Sequence, residues 1–196
     1  MNPLREDRQR SWDAASKEMS GCLRCHLSRS RNHVVIYRGS PTPKLLFLGE
    51  APGAEEDRLG VPFVGRAGKT LSAAIARLGL TEDEYGITNV IMCRPEANVF
   101  DRKAATACTD WLRLKLHLLD PRFVVTLGDN ALHALLPEVG RVTEVAGSLL
   151  SWEQRPLVPL LHPAATFRRK AYAERWQSDL SRLADWLGKS GRPWSS

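Results

Sequence analysis

The chain has 196 residues, 43% of them hydrophobic and 26% charged, with a formal net charge of +6. That suits one domain with a substantial core. No apolar run approaches the about 20 residues that a bilayer-spanning helix needs, and the N-terminal stretch MNPLREDRQRSWDAASKEM lacks the apolar segment of a secretory signal. A membrane partner is therefore not expected, and a cytoplasmic location is. The basic balance, with 28 Lys and Arg against 22 Asp and Glu, fits a polyanionic partner such as nucleic acid without requiring one.

No internal repeat or low-complexity segment breaks the chain, so 1–196 reads as a single domain, with 1–20 a helical extension and 188–196 a flexible tail. Residues 44–48 (KLLFL) predict a strand, followed by the glycine-punctuated loop GEAPGAEEDRLGVPFVG. Residues 69–78 predict a helix stopped by Gly79. A second strand, 87–92 (ITNVIM), is rich in β-branched residues, and a helix over 103–119 ends at Asp120–Pro121. Residues 123–127 (FVVTL) predict the third strand, and 129–136 a helix with Asp129 as N-cap. Residues 157–161 (LVPLL) predict a fourth strand, which Pro159 assigns to an irregular or edge position. A helix over 171–187 carries Trp176, Leu180, Leu183 and Leu187 at helical spacing.

Alternating strands and helices with apolar strands predict an α/β fold, three layers α/β/α around a mainly parallel four-stranded sheet. In such folds a ligand lies beyond the carboxyl ends of the strands. Those ends deliver Gly49-Glu50, Thr88-Asn89 running on to Cys93-Arg94-Pro95, Gly128-Asp129, and His162-Pro163. Each residue alone has an ordinary structural use, as a cap, a turn former or a core histidine. An acid, an amide and an imidazole at one sheet edge point to a site.

The chain has four cysteines, Cys22, Cys25, Cys93 and Cys108, the first two in C-L-R-C. A cytosolic chain is not expected to use disulfides, and this CxxC does not follow a strand as a thioredoxin-like motif would. Four thiolates suffice for tetrahedral ligation, and both Zn²⁺ and an iron–sulfur cluster accept such a set. Spacing alone leaves both open, and base rates favour zinc. His26 adds a nitrogen that a four-cysteine site does not need.

GEAPGAEEDRLGVPFVGRAG, ITNVIMCRP and LLHPAA, in that order, together resemble the family 4 uracil-DNA glycosylases, and the likeness runs from about residue 20 to 187. The resemblance implies a DNA-repair enzyme that flips uracil out of DNA and hydrolyses its N-glycosidic bond, leaving an abasic site. It implies a structural [4Fe-4S] cluster on Cys22, Cys25, Cys93 and Cys108 in place of zinc. It implies a partner in uracil-containing DNA, single- or double-stranded, and a monomer acting at the nucleoid. On this chain's residues it puts Gly49, Glu50 and Ala51 beside the scissile bond, Phe63 on the uracil face and Asn89 as base reader. It puts His162 at the uracil carbonyl and Asn98 as a second polar group. The segment CRPEANVFDRKAATAC is one residue shorter than the family pattern. The chain also lacks the basic, His-containing insertion of relatives that become trapped on uracil, so ordinary turnover is expected.

The chemistry follows from the residue types. An aromatic ring stacks on any base, whereas the Asn89 amide can accept from uracil N3–H and donate to O4, the reverse of cytosine's pattern. His162 can donate to the anion that develops on uracil, and a carboxylate near the sugar can stabilise its cation or orient water. Ala51 stands where other uracil glycosylase families have Asp, which leaves Glu50 first and Asn98 second for that task. Glu56 is a candidate for blocking thymine's methyl group, and Glu55 and Asp57 read as solvated. Arg168, Arg169 and Lys170 follow the histidine closely enough to meet phosphate. Two other readings share these motifs: a non-catalytic or trapping module that binds lesion DNA, and a glycosylase for another deaminated base such as hypoxanthine. The retained Glu50, Asn89 and His162 favour turnover.

Overall fold

A computed structural model describes residues 3–189, so the tail expected over 188–196 lies almost wholly outside the described residues. The elements run α1 (Pro3–Ser20), β1 (Arg38–Gly39), β2 (Leu45–Gly49), α2 (Ala54–Leu59), α3 (Arg66–Arg77), β3 (Tyr85–Asn89), α4 (Arg102–Leu119), β4 (Phe123–Leu127), α5 (Asp129–Leu135), α6 (Val142–Val145), β5 (Leu150–Trp152), β6 (Arg155–Leu160) and α7 (Lys170–Lys189). The strands form one six-stranded sheet in the order β1-β3-β2-β4-β6-β5. The inner strands β3, β2, β4 and β6 are parallel, as expected, while β1 and β5 pair antiparallel at the two edges. Leu45 to Leu48 and Phe123 to Leu127 are buried at every position, so both faces of the sheet are covered. That is why these strands read as continuous apolar runs rather than alternating ones.

Four-stranded was thus too few. β1 has only two residues, and the β5–β6 hairpin turns through Glu153 and Gln154 at φ 46° and 62°, without the Asn or Gly that normally advertises such a turn. Pro159 does not mark an edge either, since β6 lies between β4 and β5. β5 ends before reaching it, and the Pro159 carbonyl accepts from Gly147 N–H at 2.9 Å. The same side of the residue carries the prolyl nitrogen, so the β4 ladder loses no donor. β3 begins two residues earlier than the β-branched run and stops at Asn89. Val90 and Ile91 leave the sheet yet donate to the carbonyls of Gly49 and Glu50 at 2.9 and 3.0 Å, and their burial explains the apolar pattern beyond the strand. The N-cap of α5 is Gly128 rather than Asp129, whose Oδ1 instead accepts from Val142 N–H at 2.7 Å.

In α7 the expected Trp176, Leu180, Leu183 and Leu187 are all buried. Helix α1 packs on α4 through a separate small core of Ala15, Met19, Met92 and Trp111. From β2 the chain passes to β3 on one side and to β4 on the other. The crevice beyond the carboxyl ends of β2 and β4 is thus a topological switch point.

Candidate active site

Glu50, Ala51, Glu56, Phe63, Asn89, Asn98, Asn130, His162 and Arg168 line one cavity of about 490 Å³ at that crevice. The geometry starts at Gly49. A Cβ there would lie 2.4 Å from Asn89 Oδ1 and 2.5 Å from the Phe63 ring, so only glycine lets β2 end between the amide and the aromatic. Gly49→Ala is expected to cost about 1–3 kcal/mol of stability by overpacking, and to displace both the amide and the ring. Urea melts check the cost.

The loop after β2 is held by Glu56. Its Oε1 accepts from Val64 N–H and Gly65 N–H at 3.0 and 2.8 Å, and its Oε2 from Gly53 N–H at 3.1 Å. Three charge-assisted bonds from both ends of the loop make Glu56 a clamp. The carboxylate is occupied in that role, which is a different task from the steric block anticipated for it. The clamp seats Phe63, which is 6% exposed and holds φ at 55°, a left-handed conformation costly for a non-glycine residue. Its carbonyl is so close to α3 that a Cβ on Gly68 would come within 1.9 Å of the oxygen. Asp57 is not solvated. It is 2% exposed and accepts from Asn32 N–H at 2.9 Å and Asn32 Nδ2 at 2.6 Å, which ties the segment after the CxxC to α2. Glu55 is exposed and pairs with Arg58 at 2.8 Å.

Asn89 ends β3 with its side chain 1% exposed, yet neither Oδ1 nor Nδ2 has a partner among the described residues. Buried amides are rarely left so, and an unpaired buried polar group costs about 1–3 kcal/mol. Across the cavity the His162 ring lies 5.9 Å from the Phe63 ring, centroid to centroid. Its Nδ1 accepts from Ala164 N–H at 3.2 Å, which puts the imidazole proton on Nε2. Burial, and next the charge of Arg168, lower its pKa to about 4, against the opposing pull of Glu56. At neutral pH His162 is therefore a neutral donor. Glu50 Oε2 accepts from Asn130 Nδ2 at 2.8 Å, which braces the carboxylate from β4's side of the switch point.

Asn98 lies on the exposed rim with φ at 55° in the turn Glu96–Asn98, and its Oδ1 accepts from Arg94 Nε at 3.0 Å. Arg168 reaches the cavity, whereas Arg169 and Lys170 lie outside its lining. Arg169 stands over the Tyr172 ring at 5.8 Å, and exposed Lys170 pairs loosely with Glu174 at 3.7 Å. Arg66, which was not anticipated, stacks on the exposed ring of Phe167 at 3.9 Å. Asn130 was also missed, although it follows a strand end by three residues, the same signal that found the others.

The four thiols share one neighbourhood. Burial pushes Cys93 up to about 11 and raises Cys108, with Cys108 and Cys25 adding to the shift at Cys93, and Cys25 and Cys22 at Cys108. Trp111 Nε1 donates to Cys22 Sγ at 3.3 Å and Arg31 Nη1 to Cys93 Sγ at 3.5 Å. His26 is engaged elsewhere, with Nε2 2.9 Å from Asp101 Oδ2. Among the described residues no three His, Cys, Asp or Glu side chains form a group that would hold a metal ion.

The model of the uracil DNA glycosylase superfamily matches residues 36–181. The chain belongs to the uracil DNA glycosylase superfamily. Within it, the chain is 35% identical over 172 residues to a type-4 uracil-DNA glycosylase of Pyrobaculum aerophilum, covering 83% of this chain and 88% of that protein. It is 32% identical over 185 residues to one of Sulfurisphaera tokodaii, covering 89% and 84%. It is 31% identical over 188 residues to one of Archaeoglobus fulgidus, covering 91% and 94%. The superfamily match takes in every residue that lines the cavity, while Cys22 and Cys25 fall before it. No helix among the described residues is long and apolar enough to cross a membrane.

Proposed function

We propose that this superfamily member removes uracil from DNA, hydrolysing the N-glycosidic bond and leaving an abasic site. The observation that carries the reading is the unpartnered, buried Asn89 amide facing a base-sized cavity between an aromatic ring and a neutral imidazole. The type-4 relatives are named for this activity.

A uracil in a duplex must leave the stack, at a cost of a few kcal/mol. Stacking on Phe63 offsets about 1–3 kcal/mol of that but names no base. Asn89 supplies the name: its oxygen accepts from N3–H and its NH₂ donates to O4. As the bond to deoxyribose lengthens, negative charge collects on the uracil ring. His162 Nε2–H is preset to donate to it, an arrangement worth about 3–4 kcal/mol in comparable anion holes. Positive charge on the sugar faces Glu50, whose second oxygen, Oε1, remains to stabilise it or to orient the attacking water. Glu50 is preferred to Asn98 for this task because Asn130 braces it, whereas Asn98's oxygen is engaged by Arg94 on the rim. Arg168 at the mouth, with Arg169 and Lys170 beyond it, would meet phosphates of single- or double-stranded DNA, and a single chain contains every group named.

Cys22, Cys25, Cys93 and Cys108 fit a [4Fe-4S] cluster. Four thiols converge, and two of them accept N–H···S bonds of the kind that tune cluster thiolates. The cluster would fasten the CxxC segment, the segment after β3 and α4 to one another, a structural duty.

The test is alkali-induced strand scission of oligonucleotides containing one uracil, with hypoxanthine, xanthine and thymine controls, on anaerobically purified protein. Scission at uracil alone is expected, along with a shoulder near about 400 nm and about four irons per chain. Tight uracil-DNA binding without scission at excess protein overturns the enzymatic reading. A colourless protein with one zinc overturns the cluster.

A further inference from the structure

Lys115 lies in the core with 0% exposure, on α4, and no carboxylate pairs with it among the described residues. Its ammonium donates to Thr88 Oγ1 at 2.7 Å and to the Asn89 carbonyl at 2.9 Å. Thr88 Oγ1 in turn donates to the Ile36 carbonyl at 2.7 Å. Lys115 thus grips the last two residues of β3, the second of which carries the cavity's unpaired amide. Burial lowers its pKa to about 8, with Cys108 opposing the shift, so the side chain stays mainly cationic at neutral pH.

A methionine would follow the same path but leave the Asn89 carbonyl and the Thr88 hydroxyl oxygen without their N–H donor, which costs stability. The amide, in contrast, has a need that nothing in its immediate shell meets. Turned by half a rotation about its last torsion, Asn89 would present NH₂ toward N3 and oxygen toward the C4 substituent, which is the pattern that suits cytosine. Neither amide atom has a protein hydrogen bond to choose between the two orientations. The grip of Lys115 on the Asn89 carbonyl is what holds the residue's backbone, and with it the amide, in one place at the cavity.

We propose that Lys115 is a positioning residue, the buried cation that fixes the end of β3 and with it the place from which the Asn89 amide reads uracil against cytosine. This deepens the glycosylase reading and rests on it. It acts through Asn89 and touches no substrate.

The experiment compares wild type with Lys115→Met and Lys115→Gln. Single-turnover uracil excision is measured alongside binding to oligonucleotides carrying 2′-fluoro-deoxyuridine or 2′-fluoro-deoxycytidine, which resist cleavage. Lys115→Met is expected to lose some melting temperature with the donor it removes and to keep its affinity for undamaged DNA. Excision by it falls about 100-fold, the scale of an about 1 Å misplacement, and the preference for uracil over cytosine in binding falls about tenfold. Lys115→Gln keeps a donor, so its excision and its preference lie between the two. Excision by Lys115→Met within about threefold of wild type, or an unchanged preference, overturns the proposal. So does a fall in affinity for undamaged DNA as large as the fall in rate, which a purely structural lysine would give. If Lys115→Met does not fold, Lys115→Gln decides on the preference alone. If wild type releases no uracil, the glycosylase reading fails by itself, and the 2′-fluoro comparison still tests Lys115.

Discussion

Asn89→Asp is expected to give an enzyme that excises cytosine. On the proposed reading, the wild-type amide meets uracil with an acceptor toward N3–H and a donor toward O4, and cytosine would oppose like to like at both positions. Each such mismatch leaves buried groups unpaired at about 1–3 kcal/mol, so the pair is worth a selectivity of roughly 100- to 1,000-fold or more. A carboxyl group at the same depth, 1% exposed, is held protonated by burial. A carboxylic acid offers one O–H and one carbonyl and can turn either end to either atom. It therefore reads uracil and cytosine alike, while any ionised fraction repels uracil O4. Cytosine excision should appear, uracil excision should fall about tenfold, and the ratio should collapse by about 100-fold or more. Single-turnover rates on paired uracil and cytosine oligonucleotides measure both. Unchanged rates on the two bases would remove Asn89 from base reading.

The second large effect is expected at His162. His162→Ala should slow bond cleavage by about 100- to 1,000-fold, the range for losing a donor to a developing anion, while affinity for uncleavable uracil-DNA changes by less than about tenfold. The separation follows from where the charge is. Ground-state uracil is neutral and gains little from Nε2–H, whereas the departing ring is anionic and gains much. The pH profile adds an independent reading. A histidine pKa lowered to about 4 leaves the imidazole in one state from pH 6 to 9, so this group contributes no step there. Below about pH 5 the ring begins to take a proton on Nδ1, where Ala164 N–H already points, and the rate should drop. Equal losses in binding and in cleavage, or a rate step near pH 6.5 that vanishes in His162→Ala, would contradict the role given to it.

Much of this was legible because the chain writes its site at strand ends. The inner strands carry uninterrupted apolar runs, which mark the sheet, and the first polar residue after each run is by topology at the crevice. Glu50 and His162 are found by that rule alone, Asn89 sat inside the expected strand and ends the observed one, and the family likeness adds Phe63. The edges of the sheet were illegible for a physical reason. A two-residue strand buries too little to leave a pattern, and Glu153-Gln154 makes a hairpin turn that its residue types do not announce. Asp57 was misjudged because charge on a loop ordinarily means solvent, and Glu56 was read as a block to thymine's methyl group rather than as a clamp. Here backbone amides and Asn32 draw both carboxylates inward, and such partners, far apart in sequence or supplied by the main chain, have no signature in composition. Lys115 was hidden in the same way. A lysine in an amphipathic helix reads as surface until the strand it touches is known.

The bond from Ala164 N–H to His162 Nδ1 carries a consequence for how the reaction ends. With that nitrogen filled by a main-chain donor, which has no proton to spare, the imidazole has no supply line behind it. It can lean its single proton on uracil but cannot give the proton away and be recharged. The base is therefore expected to depart as a bare anion and to collect its proton only after meeting bulk water.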